Sequence, residues 1–213
     1  MKTKIALLFS LIFFCKFSLA QAQTSQTAGD LLDEIANKFK GYKSVKIDFT
    51  FSMVNEEENI KDTQKGEAWM KGNMYKLNLM GAENYYDGAV IYTYMADVQE
   101  VTVKNPSEEE ENLLNPTELF SIHKKGFTQK IIQTTTSQTS IELTPIKEGN
   151  FKYIRVWVNP QKLSIDKVIA YGIDGNNIEV QIESLKEITP TLVDSFFKFD
   201  AKNNPEVTVI DMR

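Results

Sequence analysis

One imidazole, one thiol and a scatter of carboxylates are the groups with which this chain could do chemistry. His123 is the only histidine and Cys15 the only cysteine among 213 residues. An imidazole can serve a serine as general base or ligate a metal. Here no Gly-x-Ser-x-Gly elbow supplies the serine, and a metal site would need carboxylates to complete it. The run His123-Lys124-Lys125-Gly126 reads instead as a surface histidine near a helix end. Asp166/Asp174 and Glu179/Glu183 are the right residue types for a glycosidase acid and base, but nothing separates them from solvated strand faces. Neither a phosphate-cradling Gly-x-x-x-x-Gly-Lys nor a dinucleotide fingerprint occurs. No catalytic residue, metal ligand or cofactor is assigned, and the chain reads as a protein other than an enzyme.

Charge narrows the partners. The chain has 24 basic and 29 acidic residues, a net −5, so it lacks the basic excess that displaces counterions from nucleic acid. Only Arg155 and Arg213 are arginines, which leaves no multi-arginine clamp for phosphate. At the start, Lys2 and Lys4 precede the apolar run Ile5–Phe14, interrupted only by Ser10. The run is about half a membrane span. Small residues follow at Ser18-Leu19-Ala20 and Ala20-Gln21-Ala22. This is the pattern of an export signal over residues 1–20, cleaved near Ala20–Ala22. Phe13-Phe14 before Cys15 argue against acylation of that cysteine. Residues 21–213 then form one domain with 21 basic and 29 acidic residues and no cysteine, hence no disulfide.

The elements follow from hydrophobic period. Over Asp30–Lys40, Leu31, Leu32, Ile35 and Phe39 share one helical face, with Gly29-Asp30 as cap and Gly41 as stop. The period then becomes two: Val45, Ile47, Phe49, Phe51 and Met53 alternate with Lys46, Asp48, Thr50 and Ser52. Weaker strand patterns follow at 64–70, 74–80, 89–95, 98–104, 127–134, 139–145, 151–159, 164–171, 177–187 and near 206–212. Turn signals such as Gly72-Asn73, Asp87-Gly88 and Asp174-Gly175 separate them. The stretch Ser107–Gly126 interrupts the series. Glu108–Glu111 reads as a solvated loop, and Pro116 opens a short helix bearing Leu119, Phe120 and Ile122. So many short strands imply a mainly β, single-domain, curved antiparallel half-barrel of about 10–11 strands, and so wide a sheet curls and must cover its apolar face. The two helical segments are the available lid.

Aromatic residues recur on single faces: Phe49 and Phe51; Tyr75 and Leu77; Tyr92 and Tyr94; Phe151, Tyr153 and Trp157. A packed core explains them, and so does an apolar cavity. The ordered motifs resemble the LolA-type periplasmic carriers of bacterial outer-membrane lipoproteins. Val45–Phe51 is similar to that family's first strand, Lys65–Tyr75 to its next hairpin, and Tyr86–Tyr94 to its Asp-Gly turn and aromatic strand. Asn115–Phe120 is similar to its internal helix, Ile141–Pro145 to the following strand, and Asp194–Asp200 with Pro205 and Val209–Asp211 to its C-terminal signature. One departure is plain. Members of the best-known branch carry an arginine after the Trp-x-Lys strand, implicated in holding the lid, whereas here Gly72 follows Lys71.

The resemblance implies the same half-barrel and a periplasmic carrier that shields lipoprotein acyl chains between inner and outer membrane. Its implied partners are acylated lipoproteins, an inner-membrane lipoprotein-releasing transporter and an outer-membrane acceptor, with the carrier a monomer. A binder of another lipid, or an envelope-stress lipoprotein sensor of the same fold, is the alternative. By strand parity the cavity lining is expected to be Phe49, Phe51, Met53, Trp69, Tyr75, Leu77, Tyr92, Tyr94, Phe151, Tyr153 and Trp157. The lid is expected to present Leu31, Leu32, Ile35, Phe39, Leu119 and Phe120.

Overall fold

A computed structural model describes residues 26–106 and 115–213. The export signal expected over 1–20, Cys15 and the glutamates 108–111 lie outside the described residues. The first helix, α1, spans Ala28–Lys40 and begins two residues earlier than expected, capped by Thr27 rather than Gly29-Asp30. The Thr27 hydroxyl accepts from the Asp30 amide at 3.2 Å, and the Asp30 carboxylate accepts from the Thr27 amide at 3.1 Å. This reciprocal pair satisfies amides that every helix start leaves free. Gly41 ends the helix as expected, its amide bonded to the Lys38 carbonyl.

The strands are β1 (Val45–Asn55), β2 (Ile60–Lys71), β3 (Met74–Leu79), β4 (Ala82–Tyr86), β5 (Ile91–Met95), β6 (Glu100–Lys104), β7 (Phe127–Thr134), β8 (Thr139–Pro145), β9 (Phe151–Asn159), β10 (Ser164–Gly172), β11 (Asn177–Glu187) and β12 (Thr208–Asp211). Between β6 and β7 lie α2 (Pro116–Leu119) and a 3₁₀ turn over Ile122–Lys124. A second 3₁₀ turn, Asp194–Phe197, precedes β12. All twelve strands form one curved sheet in the order β12-β6-β5-β4-β3-β2-β1-β11-β10-β9-β8-β7. Neighbours are antiparallel except β12, which runs parallel to β6.

The strand absent from the sequence reading is β4. Ala82-Glu83-Asn84-Tyr85-Tyr86 shows no apolar alternation, so its own residues do not announce it. It forms because Met80-Gly81 folds it back onto β3, with φ of 53° and 78° as a two-residue hairpin turn requires.

Each face of this sheet has a cover. On one face α1 and α2 pack over a continuous cluster that includes Val45, Ile47, Phe49 and Phe51 of β1, Met70 of β2, and Ile141 and Ile154 further along. Gly66 permits one close approach there. Its cross-strand partner is Phe49, and a Cβ on Gly66 would lie 2.3 Å from the Phe49 Cζ. On the other face the C-terminal segment crosses as a strap. Phe196 meets Trp69 edge-on at 5.9 Å, and Phe199 packs with Tyr85 and Tyr94 in a separate cluster with Val101 and Val207.

Candidate functional site

The site begins with the alternation of β1. Val45, Ile47, Phe49 and Phe51 point to the lid face and are buried, while Lys46, Asp48 and Thr50 point away and are half-buried. Neighbouring strands extend the apolar surface with Ala68, Met70, Tyr75, Leu77 and Val180. Leu31, Leu32 and Ile35 of α1 and Leu119 and Phe120 at α2 press into it from above, each buried. Phe39 lies stacked on Phe120, the ring centroids 3.7 Å apart and the planes 6° from parallel. Six lid side chains therefore occupy the surface that an apolar ligand would use.

Little space remains beneath them. A cavity of about 30 Å³ survives under Pro116 and Leu119, walled by Ile47, Phe49, Ala68, Leu77, Val180 and Ile182. A water or two is the scale of such a hole. A wider notch of about 340 Å³ opens where the end of α1 meets α2 and the β2–β3 hairpin, against Phe39, Tyr42, Met70 and Phe120, with Lys40 and Asn73 beside it. Burial on this face pushes the Tyr75 phenol up to about 12, so it is neutral at any ordinary pH.

Polar ties join the lid pieces. The Asp33 carboxylate of α1 receives Lys124 Nζ at 2.6 Å and lies 3.2 Å from His123 Nε2, both from the 3₁₀ turn after α2. Gln129 of β7 donates to the His123 carbonyl at 2.6 Å. Lys38 donates to the Lys162 carbonyl in the β9–β10 turn. His123 is only 5 % exposed, which corrects the reading of it as a surface residue: the apolar neighbours Leu119, Phe120 and Ile122 turn its segment inward. Burial pushes the His123 imidazole below its usual value, against the pull of Asp33. Hydrogen bonds from Lys124 and His123 hold the Asp33 carboxyl below the usual carboxylate range. Gly72 stands where the resemblance would supply a lid-holding arginine, and the polar joint seen here is Asp33 of α1 with His123 and Lys124. Lys71 works on the other face, donating to the Leu192 carbonyl and to Asp194 of the strap.

The structure divides the expected lining. Phe49, Phe51, Tyr75 and Leu77 belong to the lid-face cluster, and Phe151 packs against it half-buried. Met53 has the same parity but stands exposed near the end of β1. Trp69, Tyr92, Tyr94, Tyr153 and Trp157 lie on the opposite face. Trp69 pairs with Lys46 and Lys76 while its neighbours Ala68 and Met70 are the buried ones. Tyr94 packs on Phe199, and Tyr92 hydrogen-bonds Asp87. Tyr153 stacks on Tyr171, and Trp157 lies under Lys167. The register irregularity between Tyr171 and Gly172 separates Phe151 from Tyr153, which simple alternation had put on one side. The lining that reasoning missed is aliphatic: Ile154, Val156 and Val158 alternate with the chosen aromatics of β9 and are fully buried. Their period-two signal was present, and side-chain size obscured it.

Among the described residues, no group of three His, Cys, Asp or Glu side chains lies close enough to hold a metal, and no helix is long and apolar enough to cross a membrane. Comparison with protein-family models and with curated proteins finds no match. Among solved structures, an uncharacterized conserved protein from Thermus thermophilus is similar at TM-score 0.57 and 8 % identity, covering 86 % of this chain and 98 % of that one. A LolA superfamily protein from Nitrosomonas europaea aligns at TM-score 0.46 and 14 % identity over 82 % and 98 %. The Mycobacterium tuberculosis lipoprotein LppX aligns at TM-score 0.46 and 14 % identity over 77 % and 99 %. The chain thus shares its fold with the Thermus protein, and its curved antiparallel sheet under two helices is the half-barrel architecture expected from the hydrophobic period.

Proposed function

We propose that this protein is an exported carrier that shields the acyl chains of lipoproteins and moves them through the periplasm from inner to outer membrane. One observation carries the reading: the apolar face of the sheet is closed by side chains that hold no main-chain pairing with it and can be exchanged for another apolar group. Burying each of the six lid side chains is worth roughly 1.5–3 kcal/mol, or on the order of 9–18 kcal/mol gross. Burying ~15 methylenes of an acyl chain is worth about 12 kcal/mol at ~0.8 kcal/mol each. The two are of one size, so lid and lipid compete near balance, and cargo can enter and leave without nucleotide or metal. A cavity of about 30 Å³ admits no acyl chain, so loading requires the lid to swing out. The notch beside Phe39 and Phe120 is the place where it starts to part.

Its partners on this reading are acylated lipoproteins, a releasing transporter in the inner membrane and an acceptor at the outer membrane, and the carrier works as a monomer. The notch supports a second reading. Its 340 Å³ falls within the range of pockets for small ligands, which suits a free lipid carried without protein. Native mass spectrometry of the purified protein mixed with one lipoprotein in acylated and unacylated forms decides between them. The carrier reading expects a one-to-one complex with the acylated form alone. Equal binding of both forms overturns it, as does binding of free lipid with neither protein form.

A further inference from the structure

The two ends of the sheet are unlike. At one end lie the turns β1–β2, β3–β4, β5–β6, β8–β9 and β10–β11, and each carries an exposed large apolar side chain at its tip or beside it. These are Ile60 (50 % exposed), Met80 (56 %), Val98 (52 %), Ile146 (67 %) and Ile173 (61 %). At the other end the turns β2–β3, β4–β5, β7–β8 and β9–β10 carry none, and the exposed apolar side chains there, Val193 and Met212, belong to the C-terminal strap rather than to a row of turns. Strands lie about 4.8 Å apart, so successive tips fall roughly 10 Å from one another and the row runs for roughly 40 Å along the sheet end. That is ample for a protein interface of ordinary size.

Met80 shows how far this departs from ordinary turn chemistry. It sits at the tip of a two-residue hairpin with φ of 53°, a position that favours Asn, Asp or Gly. An unbranched apolar residue there is disfavoured both by the backbone and by water; Leu163 of the β9–β10 turn shares the positive φ but packs against the core, so the exposure of Met80 is what sets it apart. Charge selects the partner. The five apolar-tipped turns hold Glu56, Glu57, Glu58, Asp97, Glu148 and Asp174 against Lys147 alone. An anionic lipid surface repels such a rim, and so does a second copy of this acidic chain. We infer that this end of the half-barrel is a docking surface for a protein partner that offers apolar pockets within a basic surface.

The inference does not depend on acyl cargo, and its test is read separately from cargo binding. A photoreactive benzoyl-phenylalanine is placed at Met80 or Ile173, and as controls at Ser137 or Gln161 in the opposite turns. The full-length chain is photolysed with membranes from cells that produce it, at low and high salt, and adducts are identified by mass spectrometry. Both tips are expected to capture one and the same protein, with yield falling as salt rises. Unlabelled wild-type chain should compete, and the chain with Ile60, Met80, Val98, Ile146 and Ile173 all changed to Ser should compete roughly tenfold less well. Equal labelling from the control positions, adducts with lipid or with a second copy only, or yield indifferent to salt would each overturn the assignment. Cosedimentation of the wild-type chain, but not the serine variant, with phosphatidylcholine vesicles would overturn it in favour of a bilayer.

Discussion

Lid and strap cover opposite faces of one sheet, and they are attached in different ways. The lid touches the sheet through side chains, and its polar ties are the Asp33 joint, the Gln129 bond to the His123 carbonyl and the Lys38 bond to the Lys162 carbonyl. The strap is held by main chain at both ends. The Ile188 amide donates to the Ser44 carbonyl at 2.9 Å, and β12 pairs with β6, with Met212 donating to the Val103 carbonyl at 2.8 Å. A main-chain ladder is specific in register and direction, so no apolar group can take the place of its bonds, even at an exposed edge strand such as β12. Apolar side chains accept any apolar replacement. On the proposed reading the face under the strap is architecture, and the apolar face under the lid, aromatic and aliphatic alike, is the exchangeable one.

That contrast predicts a large and undivided cost on the strap side. Phe197 has no exposure at all, and Phe197→Ala should cost about 3–5 kcal/mol of global stability in urea unfolding. The loss should be the same with or without an acyl ligand. A cost below about 1 kcal/mol would show that the strap only lies on the sheet.

On the lid side the cost should depend on the ligand. Leu32→Ala removes a side chain 4 % exposed and should cost about 2–4 kcal/mol in the empty protein. With a saturating long-chain acyl ligand the difference from wild type should shrink, because the lid is already displaced. It should also raise ligand affinity, since a competitor has been trimmed. Equal losses in both conditions would erase the distinction between the two covers.

How much of this could be read in the residues follows from the physics of each element. The strands of β1 and β2 and the amphipathic α1 were legible because hydrophobic period survives in the chain itself. So was the half-barrel, since a sheet of that width has to curl. β4 was not, because Glu83-Asn84 breaks the alternation and its existence depends on pairing with β3. Parity expected Phe49, Tyr75, Trp69 and Trp157 on one face; Phe49 and Tyr75 lie on the lid face, while Trp69 and Trp157 lie on the other, where an aromatic was preferred to its smaller, better buried neighbours. The irregularity at Tyr171/Gly172 is invisible locally, as it arises from how two strands register. The burial of His123 depends on α1 lying across it, a contact 90 residues away in sequence.

A smaller test sharpens the lid side from beneath. Gly66→Ala places a Cβ against the Phe49 ring and forces it to move, at an expected cost of about 1–3 kcal/mol. The disturbance should show as lost hydrogen-exchange protection in α1 and α2 while β12 keeps its own. Loss of protection in β12 as well would mean that the covers are coupled through the sheet.

The smallest effect concerns pH, and it separates the covers because the titrating group belongs to the lid alone. Burial lowers the His123 value in the folded chain, so the unfolded chain binds a proton at the usual ~6.5 while the folded one still resists it. Stability is therefore complete above ~6.5 and declines as pH falls from there toward the depressed folded value, by at most about 1.4 kcal/mol per pH unit. Asp33 acts in a different window. Its folded value is lowered, so its contribution is present above the ordinary carboxylate value and is lost only as pH falls through the folded one. Between pH 5 and 6.5 the decline belongs to His123, and it should appear first as exchange in α1 and the 3₁₀ turn, with the strap unchanged. His123→Gln keeps a hydrogen-bonding group near Asp33 but cannot titrate, so its unfolding free energy should be flat across that interval. A wild-type profile equally flat would mean that protonated His123 is held by Asp33 as well as the neutral ring is, and the lid would then have no weakness of its own toward acid.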